Sequence, residues 1–306
     1  MKQNGIDKLH RSLILNDAPT AMAGVFYTQL KLEDLLLKYR QVMANMIPDI
    51  PLTNFQERSV GSTLIPKKSE VTSFFERFKR EIEENPPSTY TDWIYFHNRV
   101  AIYTYQFLNL ATGHRPTVAA YSTQSDFDLT GRLCFIRDKL VTESKLGRIV
   151  PLTKQAVAQL NYYKNHVDLL VRNLASISAD DSLVPKIAAC LDPKEELSPF
   201  LFLFRRVGKT EKFGIKPPAP KTIEKLSQRI WPMPLNWNRH YLRTWLTAKQ
   251  NDNMPSELID AFMGHAQFGT SPENPRSCFC YSSLDEVRFR IEEMIEELEL
   301  QPLVAR

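Results

Sequence analysis

Four side chains in the last third of the sequence are of types that can hold and attack a phosphodiester: His240, Arg243, His265 and Tyr281. His240 and Arg243 stand three apart in RHYLRTWL, so a helix carries them on one face. His265 follows a glycine in AFMGHAQ that reads as a helix stop. Tyr281 comes sixteen residues later, beyond a stretch rich in Pro, Gly and Ser. A guanidinium offers phosphate oxygens a planar, permanently charged fork. An imidazole donates a hydrogen bond or takes a proton near neutral pH. A phenol oxygen relieved of its proton is a nucleophile. Each residue alone also has a plainer role, as a helix cap, an ion-pair partner or a packed ring. Their joint occurrence is what points to phosphate chemistry.

The elements that must position them are helical. RHYLRTWL belongs to a helix over 237–249, with Asn236 or Asn238 as its cap, and Pro255 and Ser256 open another that ends at Gly264. Leu284, Val287, Ile291, Met294 and Leu298 form a stripe on a final helix that carries seven acidic residues between Asp285 and Glu299. Such a stripe docks on this chain's own core or on a neighbouring subunit. Upstream, Ser69 reads as the cap of a helix with Val71, Phe74, Phe75 and Phe78 on its apolar face. The aromatic run from Tyr90 to Ala111 is a buried helix, stopped by Thr112-Gly113-His114-Arg115-Pro116, and a short helix follows from Thr117. Arg115 thus sits at a helix-breaking turn. LCFIRDK and RIVPL between Arg132 and Leu152 pattern as a hairpin carrying Lys139 and Lys145, and 154–174 returns to helical periodicity. From Arg205 to Lys216, five cations (Arg205, Arg206, Lys209, Lys212, Lys216) stand against one Glu, which reads as a flexible, phosphate-facing loop or a solvated one. Thr222–Trp231 reads as a helix. In the first sixty residues, 30–47 is an amphipathic helix and 48–66 a linker.

Composition sets the limits. With 306 residues, 43% hydrophobic and 24% charged, the chain is an ordinary globular protein of one large or two small domains. A net charge of +4 permits a nucleic-acid partner without demanding one. The four cysteines contain no C-x-x-C pair, so reduced thiols are expected rather than disulfides or a zinc site; Cys278 and Cys280 flank a single residue. No apolar run reaches the ~20 residues of a membrane span and the N-terminus lacks a signal-peptide core, so a cytoplasmic protein is expected. No βαβ alternation or phosphate-binding glycine loop appears, which argues against a doubly wound nucleotide-binding sheet.

In their order along the chain, ATGHRPTVAAY, CFIRDK…GRIVPLT, RHYLRTWL, AFMGHAQ and Tyr281 resemble the boxes of the tyrosine recombinase (phage-type integrase) family, over about Ile65 to Glu297. The resemblance implies a mainly α catalytic domain with a small β-hairpin, the fold of DNA breaking-rejoining enzymes, over residues 61–306. Residues 1–60 would be a short helical segment and linker, at most a reduced DNA clamp. It implies a 3′-phosphotyrosyl intermediate on Tyr281 and phosphate binding by Arg115 and Arg243. It further implies a hairpin lysine, Lys139 or Lys145, as general acid and hydrogen bonding or proton transfer by His240 and His265. No metal, ATP or other cofactor is required. The partner would be double-stranded DNA, with Arg205, Arg206, Lys209, Lys212, Lys216 and Lys145 as further contacts. Subunits would act as a tetramer through the C-terminal helix, alone or with other recombinase subunits, on mobile or phage-like DNA. The chain departs from the family in its sixteen-residue His265–Tyr281 interval and in the absence of an acidic residue soon after Arg115. Rival readings are a type IB topoisomerase-like enzyme and an inactive DNA-binding accessory protein of the same fold.

Overall fold

The computed structural model describes residues 8–15, 23–43, 58–116, 121–137, 147–177, 182–195, 198–208, 212–250, 254–265 and 279–304. Among these the fold is mainly helical with three small antiparallel sheets. The chain begins with α1 (Lys8–Leu15), α2 (Ala23–Tyr27), β1 (Gln29–Lys31), α3 (Leu32–Met43) and β2 (Ser59–Gly61). The long helices α4 (Lys68–Glu84) and α5 (Tyr90–Thr112) lead to β3 (Phe127–Asp128), β4 (Leu133–Ile136) and β5 (Arg148–Pro151). Then come α6 (Lys154–Ile177), α7 (Val184–Ala189), β6 (Leu203–Arg206), β7 (Phe213–Lys216) and α8 (Pro220–Ser227). The chain closes with α9 (Trp237–Ala248), α10 (Ser256–Phe262) and α11 (Ser283–Glu297). Among the described residues no helix is long and apolar enough to cross a membrane. The chain divides into two compact units: Met1–Ile65 with Arg239–Val287, and Pro66–Asn238 with Arg288–Arg306.

In the first unit β1 and β2 pair antiparallel, Leu30 opposite Val60. The expected linker therefore contains a strand, and the expected helix starts at Leu32 rather than Leu30. Both strands are only three residues long and pair across a long sequence gap, which local patterning does not reveal. The Gln29 backbone N–H donates to Thr244 Oγ1 of α9 at 3.0 Å, which ties this small sheet to the helix bearing His240 and Arg243.

In the second unit, α4 begins one residue before the expected Ser69 cap. The Glu70 carboxylate reaches back to accept the Lys67 backbone N–H at 2.6 Å, which fixes Lys67 as the N-cap. The expected stripe of Val71, Phe74, Phe75 and Phe78 is buried and extends to Ile82. α5 starts with a reciprocal cap. Thr89 Oγ1 accepts the Asp92 N–H at 3.2 Å and the Asp92 carboxylate accepts the Thr89 N–H at 2.9 Å. Those bonds from Thr89, with help from Ser88, lower the Asp92 carboxyl to about 2. From Val100 onward α5 is buried on every side, so its polar side chains must be paired. Gln106 Nε2 donates to Ser227 Oγ at 3.1 Å and Gln106 Oε1 accepts from Asn238 Nδ2 at 2.9 Å, while Gln159 Nε2 donates to Thr104 Oγ1 at 2.8 Å.

The expected hairpin is the β4–β5 pair, Cys134 opposite Val150, with β3 added along its other edge. Its turn, residues 138–146, lies outside the described residues, as do 117–120, where the short helix was expected. The basic segment 205–216, expected as a loop, holds strand residues on both sides of 209–211, which lie outside the described residues. Its ends form a second hairpin, β6–β7, with Arg205 opposite Gly214 and Arg206 opposite Phe213. The continuous apolar run before it buries Phe200 to Phe204, and that anchors β6. The expected stripe on α11 is buried at every position, and Thr72 Oγ1 donates to the Leu298 carbonyl at 3.1 Å. Glu292 accepts the Lys154 backbone N–H at 2.9 Å and pairs with Arg132, so the acidic face of α11 is partly spent within its own chain.

Candidate functional site

Three of the expected catalytic side chains meet in the first unit. α9 puts His240 and Arg243 on one buried face, and the turn after α10 brings His265 to them. That turn depends on Gly264, which takes a left-handed φ of 69° after the last helical turn. The His265 backbone N–H then closes on the Asp260 carbonyl at 2.7 Å. Arg243 Nη1 lies 3.4 Å from His265 Nδ1.

The Arg243 guanidinium is occupied. Nη2 donates to Asp260 Oδ1 at 2.6 Å and Nε donates to Thr28 Oγ1 at 3.3 Å. Only 2% of the residue is exposed. Gly24 of α2 runs so close that a Cβ there would meet Arg243 Nη2 at 2.7 Å, so a glycine is what lets the backbone pass over the guanidinium. Its neighbour one turn earlier, Arg239, is a second buried guanidinium. Nη2 of Arg239 donates to the Met263 carbonyl and lies 2.9 Å from His265 Nε2. A guanidinium only donates, so at most one nitrogen of a neutral His265 can accept from the two arginines at a time; the shorter contact puts the lone pair on Nε2.

His240 Nδ1 lies 2.6 Å from Ser62 Oγ, which itself accepts the Leu64 N–H at 3.1 Å. A hydroxyl that donates to Nδ1 leaves the ring proton on Nε2. Burial lowers the His240 pKa to about 4, and the Arg239 charge adds to the effect, so the ring is neutral at neutral pH. Tyr27 roofs the cluster: its ring is 4.6 Å from the His240 ring, stacks on His265 at 5.1 Å, and lies 5.1 Å from the Arg239 guanidinium. Two guanidiniums and two imidazoles thus gather under Tyr27, with the Asp260 carboxylate paired to Arg243.

Arg239, Asp260, Ser62 and Tyr27 were not singled out in the sequence. Arg239 had a signal, standing four residues before Arg243 on the same helix. Asp260, Ser62 and Tyr27 join only through tertiary packing.

Tyr281 also belongs to the first unit, at the turn that opens α11, where its carbonyl accepts the Leu284 N–H at 3.0 Å. Its side chain is 48% exposed.

Arg115 lies in the second unit, partly buried, in the turn after α5. Gly113 ends that helix with a φ of 61° and donates to the Asn109 carbonyl. Arg148 of β5, itself buried, donates to the Gly113 carbonyl at 3.1 Å, placing a cation on the negative end of the helix. Past the turn, Tyr121 Oη donates to Asn109 Oδ1 at 3.0 Å and meets Thr112 Oγ1 at 2.9 Å, so both ends of the Arg115 segment are tied to α5. Lys139, Lys145 and Lys209 lie outside the described residues. Arg205, Arg206, Lys212 and Lys216 are exposed on or beside the β6–β7 hairpin. No protein-family model matches the chain, and no curated protein sequence matches it.

Proposed function

We propose that this chain is a tyrosine-type DNA recombinase or integrase that cleaves and rejoins DNA strands. The observation that supports it best is the convergence of His240, Arg243 and His265, residues spread over twenty-six positions, in one cationic cluster. In this reading Tyr281 Oη attacks a phosphorus, the P–O5′ bond breaks, and a 3′-phosphotyrosyl link forms with release of a 5′-hydroxyl. The phenol proton passes to an imidazole, His240 or His265. The leaving oxygen takes its proton from Lys139 or Lys145. Arg243 and Arg115 supply guanidiniums to the non-bridging oxygens, where charge builds up in the transition state. For Arg243 this requires the phosphate to displace or share the Asp260 contact. Double-stranded DNA is the substrate, tetramers on paired sites are the working assembly, and an exchanged α11 would link neighbouring subunits.

A second reading has its own support. Arg243 is 2% exposed and already bonded to a carboxylate, as in a purely structural ion pair. That favours a DNA-binding accessory protein without strand-cleaving activity. A nicked suicide duplex separates the two. The recombinase reading expects a covalent protein–DNA adduct that survives denaturation and is absent in Tyr281→Phe. DNA binding without any adduct favours the accessory role. An equal adduct in Tyr281→Phe removes the nucleophile assignment.

A further inference from the structure

The second unit contains a groove of about 1260 Å³ between α4, α5, α8 and the β6–β7 hairpin. Small-molecule pockets usually span ~300–1,000 Å³, so the space suits an extended ligand. One wall carries Arg205 and Arg206 from β6, Lys221 and Lys225 from α8, and Arg229 just beyond it, all exposed. Among the described residues, no carboxylate forms an ion pair with any of these five.

The opposite wall does not cancel this charge. Asp92 is committed to the Thr89 cap. Glu81 and Asp92 lie near Arg99, which donates to the Asn85 carbonyl at 3.2 Å and offsets their charge. Glu84 is the remaining acid in the lining.

Aromatic rings sit among the cations. Tyr95 is 44% exposed, and its ring meets that of Phe213 edge-on at 6.2 Å. The Arg206 guanidinium lies 5.9 Å from the Phe213 ring. Unpaired cations beside accessible aromatic faces suit a strand whose phosphates meet the arginines and lysines while its bases stack on the rings. A duplex keeps its base faces stacked internally and gives Tyr95 nothing to stack on.

We propose that this groove binds single-stranded nucleic acid, with Arg205, Arg206, Lys221, Lys225 and Arg229 on the phosphates and Tyr95 as a stacking platform. The inference does not rest on the strand-cleaving reading, since none of these five cations nor Tyr95 takes part in the cleavage step.

Fluorescence anisotropy on the full chain tests it. Probes are labelled oligothymidylate and oligouridylate of about 12 nucleotides, within the range of known single-strand sites, and a duplex of equal length. At least one single strand should bind about tenfold more tightly than the duplex, with affinity falling steeply as salt rises. Which single strand binds better identifies DNA or RNA as the source. Tyr95→Ala should weaken binding about tenfold, Tyr95→Phe should restore it, and combined Arg205→Glu and Lys225→Glu should abolish it. These positions are exposed, and matched thermal melts would confirm that the variants fold. Tyr281→Phe should bind as the parent does, which separates this surface from the strand-cleaving reading. Duplex binding as tight as single-strand binding would overturn the proposal. So would single-strand binding that ignores Tyr95→Ala or the charge reversals.

Discussion

At the residue scale, the Arg243–Asp260 pair sets a stability cost. The guanidinium is almost fully buried, so removing its carboxylate leaves a desolvated charge without its main counter-ion. Breaking such a pair from one side costs about 3 kcal/mol or more, whereas an exposed pair is worth about 0–1. Asp260→Asn should therefore lower the unfolding free energy by about 3 kcal/mol, read from urea denaturation. A loss under about 1 kcal/mol would mean the pair is loosely held and Arg243 is more available than its burial implies. A second residue-scale effect involves the buried histidines His97 and His166. His97 Nε2 lies 3.1 Å from the Phe202 carbonyl, its Nδ1 lies 3.2 Å from His166 Nε2, and the rings stack at 5.3 Å. Burial pushes His97 well below its ordinary pKa, and it lowers His166 to about 3. Because both are depressed in the fold, their contribution is fully present above the unfolded value of about 6.5 and is lost as pH falls toward 3. The melting temperature should drop between about pH 6.5 and 4, and His166→Phe should reduce that dependence.

At the element scale, α5 and its C-terminal turn form the frame around Arg115. Arg148 donates to the Gly113 carbonyl from inside the fold, so Arg148→Met removes a charge-assisted hydrogen bond from the helix end at a buried site. Hydrogen bonds to charged groups are worth about 1.5–3 kcal/mol, and the variant should be destabilised by that amount in denaturant titrations. Most long elements were legible in the sequence. The Phe74–Phe78 spacing, the aromatic run of α5 with its Gly113 stop, and the stripe from Leu284 to Leu298 all state their period locally. The sheets were less so. β1 and β2 are short strands that find each other across the chain, and β6–β7 hides behind a run of cations that reads as loop. The site followed the same division. The types and helix placement of His240, Arg243 and His265 were readable. Arg239 was overlooked beside them, and Asp260, Ser62 and Tyr27 become visible only when the backbone brings them to the cluster. Arg148 was overlooked because its partner is a backbone carbonyl, which leaves no trace in side-chain pattern.

At the scale of the whole molecule, a modest net charge of +4 conceals an uneven distribution. The first unit gathers Arg239, Arg243, His240 and His265 into one cluster, with Asp260 paired to Arg243. The second lines one wall of a groove with five cations. DNA affinity should accordingly fall steeply with salt, and the slope of its logarithm should become shallower by roughly one unit for each phosphate-contacting cation removed. Filter binding of Arg205→Ala and Arg206→Ala across a salt series checks this. The central claim is that Tyr281 joins DNA covalently. The most direct measurement is to trap the chain on a nicked duplex, digest the adduct, and identify by mass spectrometry the residue that carries the nucleotide. The account predicts a phosphonucleotide on Tyr281. A nucleotide on any other residue, or bound DNA with no linked residue at all, would contradict it.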